Sequence, residues 1–417
     1  VPAQTGSVTY NGSAQSPSWS NYNSSQLTIG GTSSATNAGS YSATFTPTSN
    51  YKWSDGTTTA KSASWTIGKA TGSITLSASS LSLTYPKTSG TITVTRPGSG
   101  TVTASSGSTN IATVSVSGTT ITVTAKATGS ATITVNVGAD TNYTAPSSKT
   151  FTVAVTLVSK TLSSNSWAVI KAVSDAGQGA NYWSVGATKS VTINGKVGAT
   201  TISSLKVDAF IIGFNHNSGK EGSNRIHFLL GKISGKFVGL VDGNYGNSSS
   251  TSGAFTMNTT NTNSGGWGSS QMRSKVLGSA SSPTSPTANT LLAALPADLR
   301  AVMKSCTKYT DNNGGGNTAS NVSSTTDYLF LLSEYEVFAT HQYCNDAEPN
   351  YQAQYDYFKA GNSKVANKHS ATGTAAVWWL RSPYYSYIYY DYYFCAVSSS
   401  GSLGYYNAYS AYGVVPG

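Results

Sequence analysis

The chain has 417 residues, enough for two to four domains, and only 10% of them are charged. Its net charge of +10 comes from scattered Lys and Arg residues and not from a basic run, so nucleic-acid binding is not expected. The 8 Trp and 26 Tyr residues, set among alternating apolar and Ser/Thr positions, exclude a disordered chain and favour extracellular β-domains.

Residues 1–69 consist of short alternating stretches that predict a small β-sandwich. Strands are expected at residues 6–10, 26–29, 39–45 and 63–67. Asn-Gly at 11–12 and Gly-Gly at 30–31 predict turns between them, and residues 69–72 predict a linker. With its tyrosine strands and Trp-Thr-Ile at 65–67, this stretch resembles bacterial immunoglobulin-like repeats.

Residues 70–157 repeat the pattern at a spacing of about ten residues, which is typical of a second sandwich. Strands are expected at residues 79–84, 90–95, 111–116, 120–124 and 130–136. This stretch resembles the intimin/invasin type of immunoglobulin-like domain. Neither stretch contains His or Cys, so both are expected to act as spacers that display the C-terminal region of the chain.

Residues 158–417 predict an α+β domain, because helical spacing first occurs here. A helix is expected over 166–173 with Ser166 as its N-cap, and strands over 189–194, 208–213 and 225–230. Further helices are expected over 270–277 and over 296–304, the latter with Pro296 at its first position. Ser333 and Glu336 form a predicted capping box. The Gly/Asn-rich stretches 243–266 and 311–324 predict long surface loops.

The C-terminal end combines an apolar run with a tyrosine tract. The run 375–383 contains two adjacent Trp residues and predicts a buried strand that ends at Pro383. Eleven of the 26 Tyr residues lie between positions 384 and 412, and strands alternate faces, so many of them must be exposed. Exposed tyrosine clusters are typical of antibody paratopes. The alternative is a tyrosine-rich edge that packs against a neighbouring domain or simply helps to hold the sheet.

Several motifs here resemble the variable proteins of diversity-generating retroelements. They are Val377-Trp-Trp-Leu-Arg-Ser-Pro383, Phe394-Cys-Ala-Val397, Gly401, Ala408 and Gly413-Val-Val-Pro416, with upstream segments 265–267, 272–273 and 330–334. Membership of that family implies a C-type lectin fold for residues 158–417. The predicted fold class is therefore two all-β immunoglobulin-like sandwiches followed by an α+β domain of C-type lectin fold.

The resemblance also implies which positions vary. In that family, reverse transcription mutates template adenines, so an AAC codon can become Tyr, Ser, Asp, Ile, Phe, Cys or Asn, and every residue from 384 to 395 belongs to this set. Phe394, Val397, Leu403 and Ala408 are expected to hold the sheet, whereas Cys395 fits either role. The expected variable, ligand-binding positions are Tyr384, Tyr385, Ser386, Tyr387, Ile388, Tyr389, Tyr390, Asp391, Tyr392, Tyr393, Tyr405, Tyr406, Asn407, Tyr409, Ser410 and Tyr412.

Other chemistry receives little support from the sequence. Glu348-Pro-Asn350 occurs in calcium-binding animal lectins, but the partner motif and the cysteine framework of those proteins are missing. The four His residues show no metal-ligand spacing. Cys306, Cys344 and Cys395 could form one disulfide with one thiol left over, or remain three buried thiols. No catalytic residue, metal or cofactor is expected, and a lectin-fold oxidase that uses Cys344 and Cys395 is the enzymatic alternative.

The predicted function is therefore a ligand-binding display protein and not an enzyme. Its C-terminal tyrosine-rich surface is expected to bind protein or glycan ligands on a cell or phage-host surface. The expected location is extracellular, on a bacterial surface or a phage particle, and no transmembrane segment is expected because no run of eighteen apolar residues occurs. The alternative is an adhesin or carbohydrate-binding surface protein of fixed specificity.

Overall fold

The computed structural model describes residues 1–385 and 391–417 and is mostly β-structure. The chain divides into two compact units, Val1–Leu157 and Val158–Gly417. The first unit contains two separate groups of sheets, each with its own hydrophobic core. The second unit combines three sheets with short helices.

The first six strands contain all four strands predicted for residues 1–69. They form one two-stranded sheet, β1-β3, and one four-stranded sheet, β2-β6-β5-β4. Alternation along the last strand buries Trp65 and Ile67 and exposes Thr66, and the buried pair packs with Phe45. The strands are β1 Ala3–Thr5, β2 Val8–Thr9, β3 Ser18–Ser20, β4 Leu27–Gly31, β5 Gly39–Pro47 and β6 Lys61–Gly68.

The Gly-Gly pair at 30–31 lies inside strand β4, so the predicted turn there is wrong. Gly31 has a φ of +66° and lies opposite Ala43 of strand β5. A Cβ atom at Gly31 would lie 2.9 Å from the carbonyl oxygen of Ser42. The glycine therefore permits a close approach of two strands and does not reverse the chain.

The predicted linker at residues 69–72 is hydrogen-bonded to the second group of sheets. The amide of Ala70 donates to the carbonyl of Asn142 at 2.8 Å, and the amide of Thr144 donates to the carbonyl of Ala70 at 2.9 Å. These bonds attach the connecting segment to residues 142–144 within the first unit. It is therefore a fixed connection.

Eight strands follow in the first unit, and they include all five that the sequence predicts for residues 70–157. They form two four-stranded sheets, β10-β13-β14-β8 and β11-β12-β9-β7. Residues such as Ile133, Val135, Phe151 and Val153 alternate with polar positions and fill the core between the sheets. The strands are β7 Thr75–Leu76, β8 Ser80–Thr84, β9 Ser89–Thr95, β10 Val102–Ser106, β11 Ala112–Ser117, β12 Thr120–Ala125, β13 Gly129–Val137 and β14 Lys149–Thr156.

The second unit begins with the predicted helix, capped by Ser166, whose Oγ accepts a hydrogen bond from the amide of Val169 at 3.3 Å. Two other helix predictions need correction. Residues 272–277 form a π-helix, and the helix predicted over 296–304 covers only four residues, with Pro296 at the N-cap. The α-helices are α1 Trp167–Asp175, α2 Gly179–Tyr182, α3 Ser218–Glu221, α4 Gly266–Ser269, α5 Leu291–Ala294, α6 Ala297–Arg300, α7 Glu334–Phe338 and α8 Asp356–Lys359. The π-helix is Met272–Leu277, and the 3-10 helices are Leu162–Ser164, Ala319–Asn321 and Glu348–Asn350.

Eleven strands of the second unit form three sheets. Their orders are β15-β16-β17-β18-β21-β22, β19-β20 and β23-β24-β25. The three strands predicted between residues 189 and 230 are all present. The strands are β15 Thr188–Val197, β16 Thr200–Phe214, β17 Ile226–Ile233, β18 Lys236–Gly239, β19 Cys306–Asp311, β20 Val322–Asp327, β21 Ala366–Lys368, β22 Ala371–Ala376, β23 Trp378–Pro383, β24 Tyr393–Val397 and β25 Leu403–Asn407.

The two Gly/Asn-rich stretches are less superficial than the sequence predicts. Within 243–266, Phe255 and Met257 are fully buried. Within 311–324, Asp311 is buried at the end of β19, and Val322 begins β20. The prediction of simple surface loops is therefore wrong for both stretches, because their apolar residues enter the core between polar turns.

Candidate functional site

Strand β23 is the buried floor of the candidate site. All six of its residues are buried. The sequence predicts one buried strand over 375–383, and this is right for 378–383 only, because Ala375 is exposed in the preceding strand β22. The indole nitrogen of Trp378 donates to the carbonyl of Lys364 at 2.9 Å, and that of Trp379 donates to the carbonyl of Phe255 at 3.1 Å. Because their polar edges are paired, both rings are buried without an unsatisfied donor.

Arg381 of β23 joins this floor to helix α7. Its guanidinium donates to both carboxylate oxygens of Glu336, at 2.5 and 3.0 Å, and to the hydroxyl of Thr310 at 2.6 Å. Glu336 is also the capping-box residue, because its carboxylate accepts from the amide of Ser333 at 3.0 Å. Burial raises the pKa of Glu336, but the charges of Arg381 and Lys308 outweigh it and hold this pKa below its ordinary value.

Lys308 is the centre of the buried ionic cluster next to this pair. Its ammonium donates to Glu221 and Glu336, both at 2.8 Å, and to the hydroxyl of Tyr355 at 2.7 Å. Two cations, Lys308 and Arg381, thus face two carboxylates. The balance of charge and hydrogen bonds lets four charged groups lie away from water.

His216, Glu221 and His227 lie together in this cluster, with one possible ligand atom from each within 4.8 Å of the others. The sequence reasoning missed this grouping, because the three residues belong to separate elements. The donor set does not fit a metal ion. Glu221 Oε2 already accepts from His216 at 3.1 Å and from the Lys308 ammonium at 2.8 Å, so a cation is present there already.

Six tyrosines form a patch that we call the tyrosine surface. Its centre is Tyr405, which is 38% exposed and lies in β25 opposite the buried Cys395 of β24. The Tyr405 ring centroid lies 4.5 Å from that of Tyr384 and 4.9 Å from those of Tyr343 and Tyr393. The members of the surface are Tyr343, Tyr384, Tyr385, Tyr392, Tyr393 and Tyr405, and apart from Tyr405 they are half-buried.

Tyr343 belongs to this surface although it precedes the tract by about forty residues, and sequence reasoning missed it. The buried carboxylate of Glu334, in helix α7, accepts from the amides of Gln342, Tyr343 and Cys344 and so fixes their loop. Burial raises the pKa of Glu334 above its ordinary value. No local pattern indicates this contact, because it depends on how the loop folds back onto the helix.

Tyr406 and Tyr412 lie on a different face from Tyr405. Alternation along β25 directs neighbouring side chains to opposite faces. The ring of Tyr412 lies 4.7 Å from Tyr406, 5.4 Å from Trp379 and 5.7 Å from Tyr245. These two predicted positions therefore pack over the floor and do not join the tyrosine surface.

The other predicted positions are dispersed. Ser410 is buried, against the expectation of an exposed side chain. Asp391 is exposed, whereas Asn407 is half-buried, and its side-chain oxygen accepts from the side-chain nitrogen Nδ2 of Asn261 at 3.3 Å. Tyr409 is half-buried, and its carbonyl accepts from the amide of Ser249 at 2.8 Å. The remaining predicted positions, Ser386, Tyr387, Ile388, Tyr389 and Tyr390, lie outside the described residues.

The region that contains the tyrosine surface matches a known family model. Residues 251–417 match the family described as a domain of unknown function (DUF6273), and this range includes every residue of the surface. No curated protein matches the sequence.

Solved structures resemble parts of the chain at low TM-scores. Domains 4 and 5 of the S-layer protein SbsC share 22% identity over 28% of this chain and 65% of theirs, with a TM-score of 0.18. Fibronectin(III)-like modules of CbhA from Clostridium thermocellum share 14% over 37% of this chain and 90% of theirs, with a TM-score of 0.17. The D00-D0 domain of intimin shares 13% over 36% of this chain and 99% of its own, with a TM-score of 0.16. This chain thus spans less than two thirds of the SbsC fragment.

The three cysteines are free and buried, so the structure selects thiols over a disulfide. Burial raises the pKa of Cys306 to about 12 and raises the pKa values of Cys344 and Cys395 well above the ordinary value. The thiol of Cys395 lies 3.4 Å from the carboxylate of Glu334, which raises its pKa further. A raised pKa leaves little nucleophilic thiolate.

Glu348, of the Glu-Pro-Asn sequence, is buried beside the floor. Its carboxylate accepts from the amide of Asp311 at 3.0 Å, from Ser382 at 2.7 Å and from Gln352 at 3.1 Å. Burial raises the pKa of Glu348 to about 7, although these bonds lower it. Its oxygens therefore support strand β23.

Among the residues that the structure describes, no helix has both the length and the apolar character of a membrane span.

Proposed function

We propose that this protein is a display protein that binds ligands through the tyrosine surface. On this proposal, the second unit has a C-type lectin fold and its tyrosine tract is diversified by a retroelement. The chain is proposed to act at a bacterial or phage surface, where the immunoglobulin-like first unit spaces the second from its anchor. It is proposed to have no catalytic role.

One observation carries this proposal: five tyrosine rings gather around the exposed Tyr405, on the face of the three-stranded sheet opposite the one that packs with Trp379. Tyrosine supplies a large contact area with a polar tip and loses only two side-chain torsions on binding. The sheet that carries these rings is held by Trp379 and by the Arg381–Glu336 ion pair of strand β23. A well-held sheet with half-buried aromatic rings on one face suits a surface that contacts ligands without rearranging.

The composition of the tract supports diversification. Residues 384–395 all belong to the set that adenine mutation of an AAC codon can produce. Buried positions that hold the sheet interrupt the predicted variable positions. Phe394, Val397 and Ala408 are fully buried, and Leu403 is half-buried. This division suits a process that changes contact residues while the framework remains constant.

Sequencing codons 384–412 and the flanking DNA in many individuals of the source population tests diversification directly. We expect differences confined to these codons, and a nearby non-coding copy that differs only where it carries adenine. An invariant tract without such a copy would instead leave an adhesin of fixed specificity, whose binding surface is the same.

A matched pair of substitutions tests the binding surface. The intact protein is first screened on a glycan array and against displayed peptides to obtain a ligand. We expect Tyr405→Ser to abolish binding and to lower the free energy of unfolding by only about 1 kcal/mol, because Tyr405 is exposed. The neighbouring Tyr406→Ser is expected to retain binding and to lower the free energy of unfolding by more, because Tyr406 is half-buried and packs with Tyr412 over Trp379.

Calorimetric melting and surface plasmon resonance on both variants distinguish the outcomes. If Tyr405→Ser retains full affinity, or destabilises the protein as much as Tyr406→Ser does, the tyrosine surface is a packing feature and the proposed binding function is wrong.

A further inference from the structure

The second unit contains a half-open apolar cavity of about 160 Å³, separate from the tyrosine surface. Its walls come from helix α1, strand β17, residues 295–306 and the last two residues of the chain. Trp167, Ile170, Phe228, Leu299 and Met303 supply much of the apolar lining. Apolar cavities of about 150 Å³ hold a molecule the size of benzene.

Two buried nitrogens of cavity-lining residues, His227 Nε2 and Arg225 Nε, lack a hydrogen-bond partner within the described part of the chain. His227 lines the cavity and is 6% exposed; its Nδ1 lies 2.9 Å from the hydroxyl of Tyr355, whereas its Nε2 has no hydrogen-bond partner. A buried polar atom without a partner is rare and costly, which suggests a ligand group or water at this position.

The neighbouring bonds determine what His227 offers. Lys308 donates to the Tyr355 hydroxyl, because an ammonium has donors only. Tyr355 can then direct its own proton to Nδ1 of His227, which leaves the ring hydrogen on Nε2. Burial, followed by the charge of Lys308, lowers the pKa of His227 to about 3, so the ring is neutral at pH 7. His227 therefore carries, beside the cavity, an N–H donor that needs an acceptor.

The charges around the cavity favour an anion. Lys171, Arg225 and Lys304 are lining residues, and no lining residue is Asp or Glu. Lys171 and Lys304 share the single carboxylate of Asp175, at 2.6 and 2.5 Å. The Nε of Arg225 is buried without a hydrogen-bond partner among the described residues. The three lining cations thus share one carboxylate, and the Glu221 carboxylate, 3.9 Å from Nδ1 of His227, is already paired with Lys308. The excess positive charge lies beside an apolar space.

We propose that this cavity binds a small apolar monocarboxylate. The apolar body fills the space between Trp167, Phe228 and Leu299, and the carboxylate accepts hydrogen bonds from His227 and Arg225. A phosphate or sugar would leave the apolar walls unmatched, and a neutral hydrocarbon would leave both donors unpaired. This site does not depend on the ligand of the tyrosine surface.

Titration of the intact chain with benzoate tests the site. We expect the methyl NMR signals of Ile170 and Met303 to shift, with a dissociation constant on the order of 0.1–1 mM for so small a ligand. Benzyl alcohol has the same ring without the charge, and it is expected to bind at least about tenfold more weakly.

Three variants complete the test. We expect Arg225→Gln to weaken benzoate binding about tenfold or more, and Leu299→Trp to abolish it by filling the cavity from a half-buried position. Lys196→Gln removes the same charge from an exposed site outside the cavity and is expected to change nothing. Absence of benzoate binding to the folded wild type, equal affinity for benzyl alcohol, or an unchanged Arg225→Gln variant would each overturn the proposal.

Discussion

At the scale of single residues, the interior of the second unit depends on charges that lie away from water. Lys308 and Arg381 are fully buried, and each is matched by carboxylates at hydrogen-bond distance. Removing one partner from such a group leaves the other uncompensated, which is far more costly than losing an exposed ion pair. The residues of the Trp-Trp-Leu-Arg-Ser sequence accordingly have structural roles, and the ligand-facing roles that we propose fall to the tyrosines around them.

Glu348 makes stability depend on pH with a definite sign. Its pKa is about 7 in the folded chain and 4.5 as an ordinary glutamate, so the folded state holds the proton more tightly. The resulting stabilisation is fully present below about pH 4.5 and is lost as pH rises through about 7. We expect the free energy of unfolding to fall by up to about 3 kcal/mol across this range.

Urea unfolding at pH 5 and pH 8 checks this expectation against Glu348→Gln, which cannot titrate. As pH rises, the wild type should lose stability relative to Glu348→Gln, so its free energy of unfolding minus that of the variant should decrease. A difference that is the same at both pH values would show that Glu348 is ionised throughout.

At the scale of secondary-structure elements, local signals can be read from the sequence and long-range ones cannot. Ser166 and the Ser333–Glu336 capping box are visible in a few neighbouring residues, and both caps are present. Alternation likewise predicts strands such as β13. The turn predicted at Gly31 is wrong, because a glycine suits both a turn and a close approach of two strands. Which of the two occurs depends on the partner strand, which the local sequence does not show.

The candidate site could be predicted only in part for the same reason. The tract itself is conspicuous, and Tyr384, Tyr393 and Tyr405 do lie together. Tyr343 could not be found, because its position depends on a buried carboxylate in another element. Nor could Tyr406 be separated from Tyr405, because the sequence does not reveal which face of β25 is covered.

The three-stranded sheet should show a sharp contrast between its two sides. Trp379 is fully buried in β23, so Trp379→Ala is expected to lower the free energy of unfolding by about 3–5 kcal/mol. Chemical unfolding measures this loss, with Tyr405→Ser as the exposed aromatic control in the same sheet. A loss below about 1 kcal/mol for Trp379→Ala would mean that β23 does not form the floor.

At the scale of the whole molecule, the division after Leu157 separates two sets of cores. Phe151 and Val153 belong to a core of the first unit, whereas Trp378 and Trp379 are buried in the second. Each unit has the buried apolar residues that independent folding requires.

Fragments 1–157 and 158–417 are therefore expected to fold separately. Both should give dispersed NMR signals and cooperative calorimetric unfolding, and 158–417 should retain any ligand binding of the tyrosine surface. A fragment 158–417 that is unfolded alone, while the intact chain is folded, would contradict the division.

If the tract is diversified as proposed, the burial of Ser410 would limit how large a repertoire the protein could hold. A codon that mutates at random would often place Tyr or Phe there, and a ring cannot enter a space filled by a serine hydroxymethyl without displacing its neighbours. Many newly written genes would then encode chains that misfold before they meet a target. The number of usable binders would therefore be smaller than the number of DNA sequences, with the loss concentrated at the codons whose side chains face inward.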